Sequence, residues 1–123
     1  MTTRKKVRPD LPDEVLEGIH SEAEFFQNQV LRPVIKMQSG LLLARLHTAL
    51  ATMKVDFTLL TPFKKKELLT RLFQKDQSFK REIIGMVIGQ FPLQEYQQYV
   101  PLQKELNRRI VQIVLNRCID HLV

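Results

Sequence analysis

The residues TPFKKKELLTRLFQKDQSFKREIIGMVIGQF, Thr61 to Phe91, hold two helices and the boundary between them. Thr61 is a good N-cap, and Pro62 behind it suits the first helical position, where a missing N–H costs nothing. Leu68, Leu69, Leu72 and Phe73 recur at three- and four-residue spacings, so a helix to about Lys75 buries one side. Asp76 then caps a second helix, on which Phe79, Ile83, Ile84, Met86, Val87, Ile88 and Phe91 take up most of the circumference. Such a helix is expected to be central and buried. Gly85 and Gly89 lie four apart on one face of it. With Arg81 and Glu82 flanking a segment too short to span a bilayer, their spacing predicts close packing against a neighbouring backbone inside the core.

The same reading extends outward in both directions. Pro92 opens a short helical segment through Tyr99 and Pro101 opens the last helix, with Leu102, Leu106, Ile110, Val111, Ile113, Val114, Leu115, Cys118, Ile119 and Leu122 on a wide apolar arc. Upstream, Lys54–Leu60 reads as a connection, because a single short strand has nothing to pair with. Val34–Met53 is amphipathic through Ile35, Leu42, Leu46, Ala49, Leu50 and Met53. Ser21 with Glu24 three residues on forms a capping box, which predicts a helix start there. Pro33 either ends that helix near Leu31 or kinks one long helix, and the pattern allows both. Asp13–His20 makes a helical turn that is weak alone. The expected fold is all-α, a compact bundle of four principal helices plus one or two short ones over residues 13–123, behind a basic, flexible tail at residues 1–12.

Composition bounds the function classes. The chain has 123 residues, 44% hydrophobic and 26% charged, enough for one core without disulfides or metals. The lone Cys118 offers no internal disulfide. No apolar run is long enough to span a bilayer and no signal peptide follows the basic start, so a cytoplasmic protein with no membrane partner is expected. The net charge of +6 is concentrated at Arg4, Lys5, Lys6 and Arg8, which leaves only +2 for the rest. The pI near 9.7 implies weak, salt-sensitive association with polyanions rather than a particular partner.

Motifs that carry chemistry are missing. No glycine-rich phosphate loop or dinucleotide turn is present, and Gly18, Gly40, Gly85 and Gly89 are scattered. His20, His47 and His121 lack metal-ligand spacing. Cys118 sits among Val114, Leu115, Ile119 and Leu122 as a small core side chain. No catalytic residue, cofactor or metal is expected.

Two cationic groupings remain. Lys64, Arg71 and Lys75 fall on one helical stripe, and from Lys64 to Arg81 seven basic residues face only Glu67 and Asp76, a local +5. A phosphate backbone fits such a stripe, but a solvated helix face accounts for the same residues and is the favoured reading, charge runs being common on surfaces. Phe63, Phe73 and Phe79 fit the core pattern, which leaves no exposed aromatic for base stacking. The second grouping is two sets, Gln27, Asn28, Arg32, Lys36 and Gln38 around Pro33, and Gln90, Asn107, Arg108 and Arg109 near later helix junctions. If they meet in space, Arg32, Lys36, Gln90, Asn107 and Arg109 form a recess for a small anion, while service as helix-end partners is the favoured reading.

Phe26-Gln27-Asn28, Leu31-Arg32-Pro33-Val34-Ile35-Lys36-Met37-Gln38, Ile88-Gly89-Gln90-Phe91, Glu95-Tyr96 and Leu106-Asn107-Arg108-Arg109 together resemble a small bacterial family of uncharacterised helical proteins, over about residues 21–117. The resemblance implies an all-helical, cytoplasmic protein and supplies no catalytic residues. Members are sometimes labelled glyoxalase, yet this sequence has neither the paired βαβββ modules nor the His and Glu ligands of that fold. The expectation is a non-enzymatic helical binding or protein-interaction module, its partner another protein or a second copy. The wide arc of the last helix is the reason for considering a homo-oligomer. Nucleic-acid binding and small-anion or metabolite binding are the alternatives.

Overall fold

The computed structural model describes residues 13–123; the expected basic tail, residues 1–12, lies outside them. Seven α-helices run in order: α1 (Asp13–Phe26), α2 (Arg32–Met37), α3 (Ser39–Ala51), α4 (Pro62–Lys75), α5 (Gln77–Ile88), α6 (Leu93–Tyr99) and α7 (Gln103–Leu122). A π-helical turn, Gln27–Leu31, joins α1 to α2, and 3-10 turns occupy Phe57–Leu59 and Val100–Leu102. There is no strand among the described residues, so the chain is an all-α bundle.

Capping at the centre of the chain follows the sequence. The Thr61 hydroxyl accepts from the Lys64 N–H at 3.2 Å, and the Asp76 carboxylate accepts from the Phe79 N–H at 3.0 Å. In the connection before α4, Asp56 caps the 3-10 turn by accepting from the Thr58 N–H at 3.1 Å.

The first half departs from expectation at two points, the start of α1 and a break at Gln38, and decides between two alternatives at Pro33. α1 starts at Asp13 and passes through Ser21 and Glu24, whose side chains are exposed and cap nothing. Leu16 and Ile19, half-buried, share the helical face of the buried Ala23 and Phe26, so the period continues upstream through the capping box. At Pro33 the structure follows the second of the two alternatives, one helical run that is irregular beside the proline. The π turn closes with the Arg32 N–H bonded to the Gln27 carbonyl, and its wider winding takes up the proline just beyond it. The break falls instead at Gln38, with φ −95° and ψ 9°, so Val34–Met53 is divided between α2 and α3.

The central helix is α7 rather than α5. It packs against α2, α4, α5, the π turn and the 3-10 turn before it. Leu106, Ile110, Ile113, Val114, Leu115 and Cys118 are buried along it, and Val111, Ile119 and Leu122 pack at the edges of the same core. The wide apolar arc is thus used up inside one chain. α5 buries Phe79, Ile83 and Val87 and leaves Ile84, Met86 and Ile88 half-buried.

Gly85 and Gly89 also differ from expectation. Both are exposed, and a Cβ added at Gly85 meets nothing within 4 Å. No neighbouring backbone uses the space. Replacing Gly85 with alanine should therefore remove only the helix penalty of glycine, raising stability by about 0.5–1 kcal/mol. Urea denaturation of Gly85→Ala checks this; a loss of stability would mean that a neighbour needs that surface.

Candidate binding surfaces

The polar residues around the π turn meet α7 through Gln27 rather than Arg32. Arg109 donates from Nη1 to Gln27 Oε1 at 3.1 Å and from Nε to Glu105 Oε2 at 2.7 Å. Arg108 donates to both Glu105 oxygens, at 2.7 and 2.6 Å. His20 Nδ1, from α1, stands 4.0 Å from the same carboxylate. Glu105 is mostly buried. Burial alone would raise its pKa, but hydrogen bonds and charge from Arg108 and Arg109 outweigh it and hold the carboxyl below its ordinary value. Glu105 went unnoticed at the sequence level, although its three- and four-residue spacing to two arginines was legible.

This network accounts for two of the five residues expected to form an anion recess. Arg109 is committed to Glu105 and Gln27, and Asn107 accepts the hydroxyl proton of the buried Tyr99 at 2.5 Å. Arg32 reaches only Asn28, 3.3 Å away on its own helical run, while Lys36 and Gln90 are exposed. Among the described residues no hydrogen bond or ion pair joins any two of the five. A second tie, which sequence reading missed, links α7 to the α2–α3 elbow. Arg117 Nε donates to Ser39 Oγ at 2.9 Å, and that hydroxyl donates to the Ile35 carbonyl at 3.1 Å.

Cys118 lies with Arg117, Ser39 and His121 in a small cleft otherwise lined by Ile35, Leu42, Leu43 and Val114. Burial pushes its thiol pKa up to about 11, so it stays protonated at neutral pH. Among the described residues no three His, Cys, Asp or Glu side chains are grouped to hold a metal ion.

α4 presents the expected basic stripe. Lys64, Arg71 and Lys75 are exposed, with Glu67 between the first two, 3.7 Å from Lys64 Nζ and 3.9 Å from Arg71 Nη2. Lys66 and Lys75 meet no carboxylate among the described residues. Phe63 overturns an expectation: Phe73 and Phe79 are buried, but Phe63 is 71% exposed. It lines a shallow groove along the helix with Lys66, Glu67, Thr70, Arg71 and Gln74. The helical period accounts for this, because Glu67, Thr70 and Gln74 follow Phe63 at four, seven and eleven residues, away from Leu69, Leu72 and Phe73. Leu59, in the 3-10 turn just upstream, is 81% exposed.

α6 presents a different surface. Its inner side is fixed by edge-on aromatic contacts, Phe26 to Phe91 at 5.7 Å and Phe91 to Tyr99 at 5.8 Å between ring centres. Its outer side shows Leu93, Tyr96 and Val100, which are 72%, 44% and 44% exposed. No described helix is long and apolar enough to cross a membrane.

No protein-family model, curated protein or solved structure matches this chain. The surfaces themselves are therefore the basis for a functional reading.

Two outcomes follow from the interior groups. Because the Glu105 pKa is lowered on folding, its contribution is present above the ordinary carboxylate value of 4.5 and is lost as the pH falls through the folded value. Glu105→Gln should cost about 1–3 kcal/mol at neutral pH by leaving Arg109 without its charged acceptor. The gap to the parent protein should narrow in acid, as urea unfolding at several pH values will show. The native protein should also resist a thiol-specific disulfide reagent, with Cys118 reacting only on unfolding; rapid reaction of folded protein would contradict its burial.

Proposed function

We propose that this protein is a non-enzymatic binding module that uses the outward face of α4 to engage an acidic segment of a partner protein. The observation that carries the reading is Phe63, held out in solvent among cations. An exposed aromatic ring costs solubility and contributes nothing to the core, whereas a ring with basic neighbours makes an anchor for a chain carrying apolar and acidic side chains. Lys66 and Arg71 line the groove with Phe63, and Lys64 and Lys75 are exposed on the same helix. The self-satisfied network around Glu105 and the protonated Cys118 agree with binding rather than catalysis.

Single-stranded nucleic acid on the same face is the second reading, favoured by the exposure of Phe63 on the basic stripe. Two features weigh against it. Glu67 stands in the middle of the groove, where a phosphate chain would meet its charge. Phe63 supplies one stacking platform only, since Leu59 offers no ring. A small-anion site around Arg109 has less support, because its guanidinium is already engaged.

Fluorescence anisotropy with two labelled probes separates the readings: an amphipathic glutamate–leucine peptide and an oligothymidylate. The acidic-partner reading expects peptide binding that weakens with salt. Phe63→Ala should weaken it about tenfold or more, and Lys64→Gln, Arg71→Gln and Lys75→Gln together should weaken it further. Tighter binding of the oligonucleotide, with a steep salt dependence and loss in the same variants, would favour nucleic acid. Binding of neither probe at low salt would remove α4 as the working surface.

A further inference from the structure

We infer, resting on the reading of α4 given above, that the acidic segment its groove engages is α1 of a second copy of this chain. Charge is segregated along the sequence. From Asp13 to Leu31 there are five carboxylates, at Asp13, Glu14, Glu17, Glu22 and Glu24, and no lysine or arginine. From Lys64 to Arg81 seven basic residues face only Glu67 and Asp76. Both runs lie within the described residues, so the contrast does not draw on the basic residues 4–8. Glu14, Glu17, Glu22 and Glu24 are exposed, and among the described residues none of them pairs with a cation. The dipole of α1 favours Glu14 in the first turn, but it has faded by Glu22 and Glu24. Glu14 and Glu17, three apart, repel each other. A cationic surface laid along this side relieves a cost that α1 has no lysine or arginine to offset.

α1 also carries an apolar anchor for the groove. Phe25 is 68% exposed, against 71% for Phe63, so α1 leaves its ring outside the groove of its own copy. Both helices have 14 residues, and Phe25 is second from the end of α1 while Phe63 is second from the start of α4. Laid antiparallel with the two rings together, the helices overlap over their whole length. Glu24, Glu22 and Glu17 precede Phe25 by one, three and eight residues, and Lys64, Lys66 and Arg71 follow Phe63 by the same intervals. Each carboxylate therefore comes level with a cation. Ser21, four before Phe25, comes level with Glu67, four after Phe63, so the one carboxylate in the groove meets an uncharged side chain.

The result is an aromatic centre with a rim of opposite charges. Neither helix has to leave its bundle, because Ala23 and Phe26 keep α1 in place and Leu69, Leu72 and Phe73 keep α4. A pair of helices this short buries less than a standard interface, and exposed ion pairs add little each, so the association is weak and reversible. Because the two faces are unlike, it grows head to tail unless a twofold closes it.

Sedimentation velocity on the full chain, over a range of concentrations and at two salt levels, tests the assignment. The expected result is a mass that rises with concentration and falls back with salt, as screening weakens the ion pairs. Phe25→Ala should weaken the association about tenfold or more. Reversing α1 with Glu17→Lys, Glu22→Lys and Glu24→Lys, or α4 with Lys64→Glu, Lys66→Glu and Arg71→Glu, should leave each variant monomeric. Their melting temperatures should stay close to the parent's, since all six side chains are exposed. An equimolar mixture of the two variants should associate again, because each then offers the complement of the other's altered helix. The α1 variant keeps α4 intact and should still bind the glutamate–leucine peptide. If it does so while the parent chain stays monomeric at every concentration, the inference fails and the reading of α4 stands. If neither chain binds the peptide, both fail. Association that survives either set of reversals, or a mixture that stays monomeric, would also overturn the inference.

Discussion

The burial of α7 is the constraint from which the rest of the structure follows. Leu106, Ile110, Ile113, Val114 and Leu115 lose their contact with water only because α2, α4, α5 and the π turn close around them. Each such side chain contributes about 1.5–3 kcal/mol relative to an exposed one. With α7 enclosed in this way, the other helices are left to present their outer sides to solvent. The exposed apolar side chains Phe63 and Leu93 therefore lie on the outward faces of α4 and α6, whereas the apolar side of α7 is covered.

Polar side chains set how the surrounding helices meet that post. Arg109 reaches Gln27 in the π turn and Arg117 reaches Ser39 at the elbow, so α7 is tied to both irregular points of the first half. On the opposite side, Arg45 of α3 grips Glu82 of α5 through two hydrogen bonds and lies over the Phe79 ring, 5.5 Å from its centre. The interior contacts drive the packing, while these bonds select among nearby arrangements of it, since an unpaired guanidinium at a helix junction is costly. They also explain why cations that look available in the sequence are not available in space.

The candidate surfaces were only partly legible from residue order. The stripe of Lys64, Arg71 and Lys75 followed from helical periodicity and lies where periodicity put it. Phe63 is grouped with Phe73 and Phe79 in the core pattern, although its spacing to Thr70 and Gln74 marks the solvent side. Gly85 and Gly89 show the opposite error: their spacing was real, but no helix lies against them. The wide apolar arc of the last helix is a reason to consider a second copy, but the helices around it cover it within one chain.

By itself the sequence determined the helical class, the N-caps at Thr61 and Asp76, the boundaries of α4 and the position of the basic stripe. Each of these depends on interactions within a few residues, through hydrogen bonds to nearby N–H groups or the period of the helix. Tertiary structure alone decided that α1 runs through its capping box, that Pro33 is carried by a π turn, that α7 is central, and that Arg109 is neutralised while Phe63 and Leu93 are left exposed. Those outcomes depend on which distant helix comes to cover a given face, and local periodicity carries no information about that.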